Sequence, residues 1–199
     1  TCSCSSDRVS RALLELDTVI AQAESYRGDF LDSLSRIRLQ YQSAQTDSMR
    51  WTFASRLYSS FNSYSTDSTL FYLARMKEHV SNPRHMMQTR MADMHVRMVR
   101  KNDIETLDEY HMLDTAGLLS DIDLRKSYLH TGISLYHHVD KLQLLPRKEK
   151  EVKETLQSLR RLYINLDPEG SYSQKIMAQY ERDNGDVESA QQRLVSLYE

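Results

Sequence analysis

The sequence predicts an all-α fold of about eight to ten helices joined by short turns, packed as a bundle or as an α-solenoid. Three observations predict it. The 199 residues include only 5 Gly and 3 Pro, too few turn formers for a β-sandwich, a barrel or a Gly-loop nucleotide fold. Apolar residues recur at steps of three and four along nearly the whole chain, which is the period of a helix face. No stretch of five or more residues alternates strictly, as a half-buried strand would. A hydrophobic fraction of 40 % suits an elongated helical protein with a thin core, and a net charge of −2 points to no polyanionic partner. No apolar run approaches the roughly 18 residues of a membrane span.

The elements follow in order. Val9, Leu13, Leu16, Ile20 and Ala23 form a first helical stripe behind a cap at Ser5 or Asp7, and Phe30, Leu34, Ile37 and Tyr41 form a second. Gly28 lies between them as a break or a kink. Asp47 is expected to cap a third helix that buries Trp51, Phe53, Ala54, Leu57, Tyr58 and Phe61. Asp67 caps the fourth, which Asn82-Pro83 ends. Pro83 suits the first turn of a fifth helix reaching about Arg100. Asp103 caps a sixth, closed by the segment around Gly117. A seventh runs from about Asp121 to Leu142, and Leu144-Leu145-Pro146 ends it. An eighth runs from about Lys148 to Asn165. After the turn Asp167-Pro168-Glu169-Gly170, the last two helices occupy about 172–183 and 187–198. Helices this regular, with turns this short, pack as antiparallel neighbours.

The only cysteines, Cys2 and Cys4, are too close to bridge readily and have no further soft ligands nearby for zinc. The Ser-rich start reads as a frayed terminus. A sharper reading is the remnant of an exported N-terminus cut at a lipid-modified Cys. The expected organisation is a disordered exported N-terminus over 1–6 and a single helical-repeat domain over 7–199.

A repeat signal is clearest from Ser171 to Leu197 (SYSQKIMAQYERDNGDVESAQQRLVSL). Ala178 holds a small position where two helices approach, Gly185-Asp186 forms the turn, and Ala190, Leu194 and Leu197 line the inner face of the second helix. This segment resembles a tetratricopeptide repeat, with Tyr180 one place early for the usual aromatic. Residues 47–80 resemble a weaker copy, and 84–114 and 121–165 degenerate ones. The resemblance implies a right-handed α-solenoid of antiparallel helix pairs. Leu14 to Tyr26 (LELDTVIAQAESY), Arg56-Leu57-Tyr58, Tyr64 to Ser68 and Leu124 to Tyr136 (LRKSYLHTGISLY) widen it. Together they resemble a Bacteroidetes family of membrane-anchored transcriptional regulators. In that family an exported tetratricopeptide-like sensor region precedes a transmembrane helix and a DNA-binding output.

Met87, Met91, Met94 and Met98, at steps of four, three and four, read as adaptable core packing. A soft copper site with His85 and His95 is the rival reading. His130, His137 and His138 lack the i,i+4 pair and the Glu of a zinc hydrolase, and no metal or cofactor is expected. The basic residues Arg147, Lys148, Lys150 and Lys153, interleaved with Glu149, Glu151 and Glu154, read as a solvated helix face with ion pairs, whereas Arg84, Arg90, Arg97, Arg100 and Lys101 could touch phosphate, against which the net acidic charge speaks. Direct nucleic-acid binding is not expected. No nucleophile motif or phosphate loop is present, so no enzyme activity and no catalytic residue is expected.

In a tetratricopeptide stack the first helix of each pair lines the concave face. The register puts Tyr172, Lys175, Gln179 and Arg182 there as exposed side chains suited to a peptide, a carboxylate or another anion. The aromatic-rich helix around Trp51 and Tyr58 is the second choice of surface. The expected function is therefore a non-catalytic protein- or peptide-binding module. The resemblance makes it the extracytoplasmic sensor part of a membrane-anchored transcriptional regulator, on the periplasmic side of a Gram-negative envelope. Its contact with the membrane would come only through a lipid anchor or a helix outside this chain. The alternative is a lipid-anchored envelope scaffold without signalling output.

Overall fold

A computed structural model describes residues 3–116 and 120–197, with side chains from Val9 onward. Nine α-helices are present among the described residues, and no strand: α1 (Ser3–Ser43), α2 (Asp47–Phe61), α3 (Thr66–Glu78), α4 (Pro83–Val99), α5 (Asp103–His111), α6 (Ile122–Lys141), α7 (Glu149–Leu166), α8 (Ser171–Asp183) and α9 (Val187–Val195). A 3₁₀ turn, Pro146–Lys148, leads into α7. The all-α class predicted from periodicity is the observed one.

Several details differ from the sequence expectations. The first two predicted helices are one, because α1 continues through Gly28. A glycine inside a helix costs only about 1 kcal/mol relative to alanine, which the long helix absorbs. Residues 3–6 belong to α1; Cys2, Gly117 and the side chains of Cys4, Ser5 and Asp7 lie outside the described residues. The caps shift by one or two places. Thr46 rather than Asp47 accepts the N–H of Met49, and Ser65 rather than Asp67 accepts that of Ser68. In both helices the Asp lies in the first turn, where its charge favours the helix dipole. Asn82 caps α4 with Pro83 just inside it, and Asp121 caps α6 through the N–H groups of Asp123 and Leu124.

The chain divides into two compact units, Thr1–Ser81 and Asn82–Glu199. In the first, α2 packs on α3 and on α1. Leu34, Ala54, Leu57, Phe61, Leu73 and Met76 form its centre, and the rings of Phe61 and Tyr72 stack 5.6 Å apart. Trp51 and Tyr58 are buried in this core, which corrects the second-choice binding surface: their aromatic area serves packing.

In the second unit α6 packs on α7 and α8 on α9, while α4 and α5 contact each other and α6. Its core joins Met91, Met94 and Met98 to Leu107, Tyr110, Leu135, Val139, Leu156 and Ile176. The methionine stripe is thus core packing. The last helix pair turns as the repeat register requires. Gly185 takes φ +88°, a left-handed conformation that suits glycine, and the Asp186 carboxylate caps α9 by accepting the Ser189 N–H at 3.1 Å.

Candidate functional site

Within the second unit, a groove of about 250 Å³ opens between α6 and α8, with α7 contributing one side chain. Its floor is apolar, formed by the buried Ile133 and Ile176. Helix α6 adds Ser134, His137 and His138, a set three and four residues apart that the helical repeat places on one face. Helix α8 adds Tyr172, Lys175 and Gln179 by the same rule, and α7 adds Arg160. Among the described residues no carboxylate lines the groove.

Three of the four predicted binding residues, Tyr172, Lys175 and Gln179, are brought together here. Arg182 is not: it borders a separate apolar depression with Val187, Ala190, Leu194 and Val195. It remains tied to the groove rim, because its Nη2 donates to Gln179 Oε1 at 2.6 Å while Gln179 Nε2 donates to Asp183 Oδ1 at 2.6 Å. Lys175 is exposed and makes no ion pair among the described residues.

Tyr172 differs most from its expected free exposure. It is half-buried, with its ring edge-on to His130 at 4.5 Å and to Tyr163 at 4.9 Å. Burial pushes its phenol pKa up, and a hydrogen bond with Ser134 opposes that shift. Its replacement therefore disturbs packing as well as the groove.

Ser134, His137, His138 and Arg160 join the site only through tertiary packing. Arg160 lies over the Tyr180 ring at 5.7 Å. Burial lowers the His137 pKa, and Arg160 and His138 add to the effect, so this imidazole is neutral near pH 7. His138 Nδ1 stands 3.4 Å from Oδ1 of Asp103, which is almost fully buried in the first turn of α5. The contact is an ion pair whenever His138 is protonated. The groove thus offers two permanent cations, an amide, a phenol edge and two imidazoles, a set suited to an anionic group beside an apolar one.

Several residues of the basic clusters are paired locally. Arg84 bonds Asp121 and Asp123 at 2.8 and 3.2 Å, and Arg97 bonds Asp93 and Glu109 at 2.6 Å each. Lys153 pairs with Glu149 at 2.5 Å. These basic residues are laced with acids, as a solvated face requires.

His95 bears on stability rather than on binding. Thr131 donates its hydroxyl to the Ser127 carbonyl at 2.8 Å, so it accepts from His95 Nε2 at 3.2 Å. The His130 ring lies 5.3 Å away. Burial pushes the His95 pKa down from 6.5 to about 4, and repulsion from His130 and His138 adds to it. The folded state thus holds the neutral form, whereas the unfolded chain takes up a proton near 6.5. This contribution is complete above that pH and is lost as pH falls toward 4, by at most on the order of 3 kcal/mol. Urea unfolding at pH 7 and pH 4.5 should show the loss in the wild type and a smaller one in His95→Gln. An equal loss in both would assign the acid sensitivity to other groups.

The sequence model of the family described as SusR N-terminal TPR domain matches residues 20–199. The chain belongs to the SusR N-terminal TPR domain family. The match covers all of the second unit and most of the first, including the α8–α9 pair that carries the clearest repeat. No curated protein and no solved structure matches the chain. TPR-type domains are in general non-catalytic modules that mediate protein–protein interaction, and this chain carries a helical-repeat domain of the TPR type. Among its described residues no helix is long and apolar enough to cross a membrane.

Proposed function

We propose that this SusR-type domain is the extracytoplasmic sensor region of a membrane-anchored transcriptional regulator, and that it docks an acidic protein or peptide segment in the α6–α8 groove. The observation that carries the docking is the lining: Lys175 and Arg160 with no carboxylate, beside the partly exposed ring of Tyr172 and an isoleucine floor. A carboxylate on the ligand would meet charge-assisted donors, and an adjacent apolar residue would cover Ile133 and Ile176. Gln179 and Arg182, linked by their hydrogen bond, extend the polar rim.

Two short peptides of equal length test the reading, one with Asp and Glu flanking a Phe and one with Lys in place of the acids. Fluorescence anisotropy should show preference for the acidic peptide. Lys175→Glu with Arg160→Glu should weaken it by about tenfold or more, since each charge-assisted bond contributes about 1.5–3 kcal/mol. Equal binding of both peptides, or unchanged binding by the double variant, would remove the groove from the docking role. The regulatory part of the proposal is tested on the gene: a transmembrane helix and a helix-turn-helix encoded with this domain support the sensor role, and a lipid attachment site alone supports an envelope scaffold.

A further inference from the structure

Helix α1 carries a surface that the groove leaves unused. Positions 9, 13, 16, 20, 23, 27, 30, 34, 37 and 41 follow one another in alternating steps of four and three. All are apolar except Arg27. This is a heptad pattern, with 13, 20, 27, 34 and 41 as the a positions and 9, 16, 23, 30 and 37 as the d positions. Because α1 is continuous through Gly28, the two stripes seen in the sequence are one seam. A strict 3.5-residue repeat sustained over more than four heptads is the signature of helices that supercoil around each other.

The seam changes environment along its length. Leu34 is buried, and Ile37 and Tyr41 are half-buried within the first unit. Tyr41 lies edge-on to Tyr72 at 6.5 Å. Toward the N-terminus the same seam is uncovered: Val9, Leu13, Leu16 and Ile20 are 52–62 % exposed and Phe30 is 40 % exposed. Val19 and Tyr26, at the flanking g positions, are each 55 % exposed and widen the stripe. The outer face is polar, with Arg11, Glu15, Gln22, Ser25, Asp29 and Asp32, and Arg11 pairs with Glu15 on the same helix at 3.1 Å.

We propose that the exposed part of this seam pairs with the same segment of a second copy of the chain, as a parallel two-stranded coiled coil. Size supports a second copy. Seven large side chains on each of two helices present on the order of 1,200 Å² of apolar surface, enough for a stable interface. Charge supports the parallel direction. In a parallel pair each e position faces the g position five residues before it on the partner, so Asp17 and Glu24 lie opposite apolar Ala12 and Val19. In an antiparallel pair e faces e, and these acids would lie against each other. Arg27 is the one charged residue of the seam. A single polar residue at an a position fixes register and strand number at a cost in stability, and Glu24, one turn earlier on the same face, tempers its charge.

Sedimentation velocity on the whole chain, from about 1 to 100 µM, tests the pairing over the range where such interfaces associate. The expected species is a dimer. Leu16→Glu with Ile20→Glu should give a monomer. Leu14→Glu, off the seam at a b position, should leave the dimer intact. In a chain with Cys2 and Cys4 changed to Ser, Leu16→Cys should oxidise to a disulfide-linked dimer, because parallel register sets the two d positions against each other. A monomer at the highest concentration, a trimer, or loss of the dimer in Leu14→Glu would overturn the proposal. A dimer that fails to cross-link through Cys at position 16 would overturn its direction.

Discussion

Replacing Met94 with Ala is expected to lower the unfolding free energy by about 2–5 kcal/mol, the range for emptying a packed core position. Met94 is fully buried, between Met91 and Met98 on α4 and the α5 and α6 residues of the same core. The truncation removes the thioether arm and leaves a void that the neighbours fill only in part. Those neighbours include two flexible methionines, which can relax into the space, so a result in the lower half of the range is expected. Met86, on the same helix but 54 % exposed, is the control, and its change to Ala should stay within about 0.5 kcal/mol. Urea unfolding of both variants at pH 7 measures the difference. A Met94 effect no larger than that of Met86 would contradict the core assignment.

Gly132→Leu is expected to be at least as damaging, for the opposite reason. A Cβ at Gly132 would lie 2.7 Å from Tyr110 Cζ and 3.1 Å from Leu159 Cδ1. The tyrosine cannot swing away freely. Its ring stacks on Tyr128 at 4.6 Å, and its hydroxyl donates to the Tyr128 carbonyl at 3.3 Å. Forcing a branched side chain into that contact costs about 1–3 kcal/mol, and more when the backbone must shift. Gly132→Ala should cost less, because the gain in helix propensity, about 1 kcal/mol, offsets part of the clash. If the clash is with Tyr110, combining Gly132→Ala with Tyr110→Leu should show a favourable coupling in a double-mutant cycle. Simple additivity would place the strain elsewhere.

Gly132 also marks a limit on what the sequence reveals. The helix class was legible because periodicity is a property of near neighbours: the methionine stripe of α4 and the Gly185-Asp186 turn could be read locally, and both are seen in the structure. The fusion of two expected helices into α1 was not legible, since a glycine lowers helix stability without forbidding the helix. Cap positions shifted because Ser, Thr, Asn and Asp crowd the same turns, and only the backbone conformation decides which oxygen reaches an N–H. In the groove, the α8 residues Tyr172, Lys175 and Gln179 follow from their spacing on one helix. Ser134, His137, His138 and Arg160 lie more than ten residues away in sequence and meet them only through packing. The half-burial of Tyr172 depends on His130 and Tyr163, which no local pattern connects to it.

The long first helix has a mechanical consequence. Its 41 residues span about 60 Å at 1.5 Å per residue, and no proline or irregular turn interrupts them. The segment from Leu34 to Tyr41 is gripped by the hydrophobic centre of the first unit, while the segment before it projects as a rod. A rod continuous with a gripped core acts as a lever arm. A rotation or shift of its free end reaches Leu34, Ile37 and Tyr41 with little hinge to absorb it, so whatever holds that end also sets the orientation of the helices packed around those three side chains.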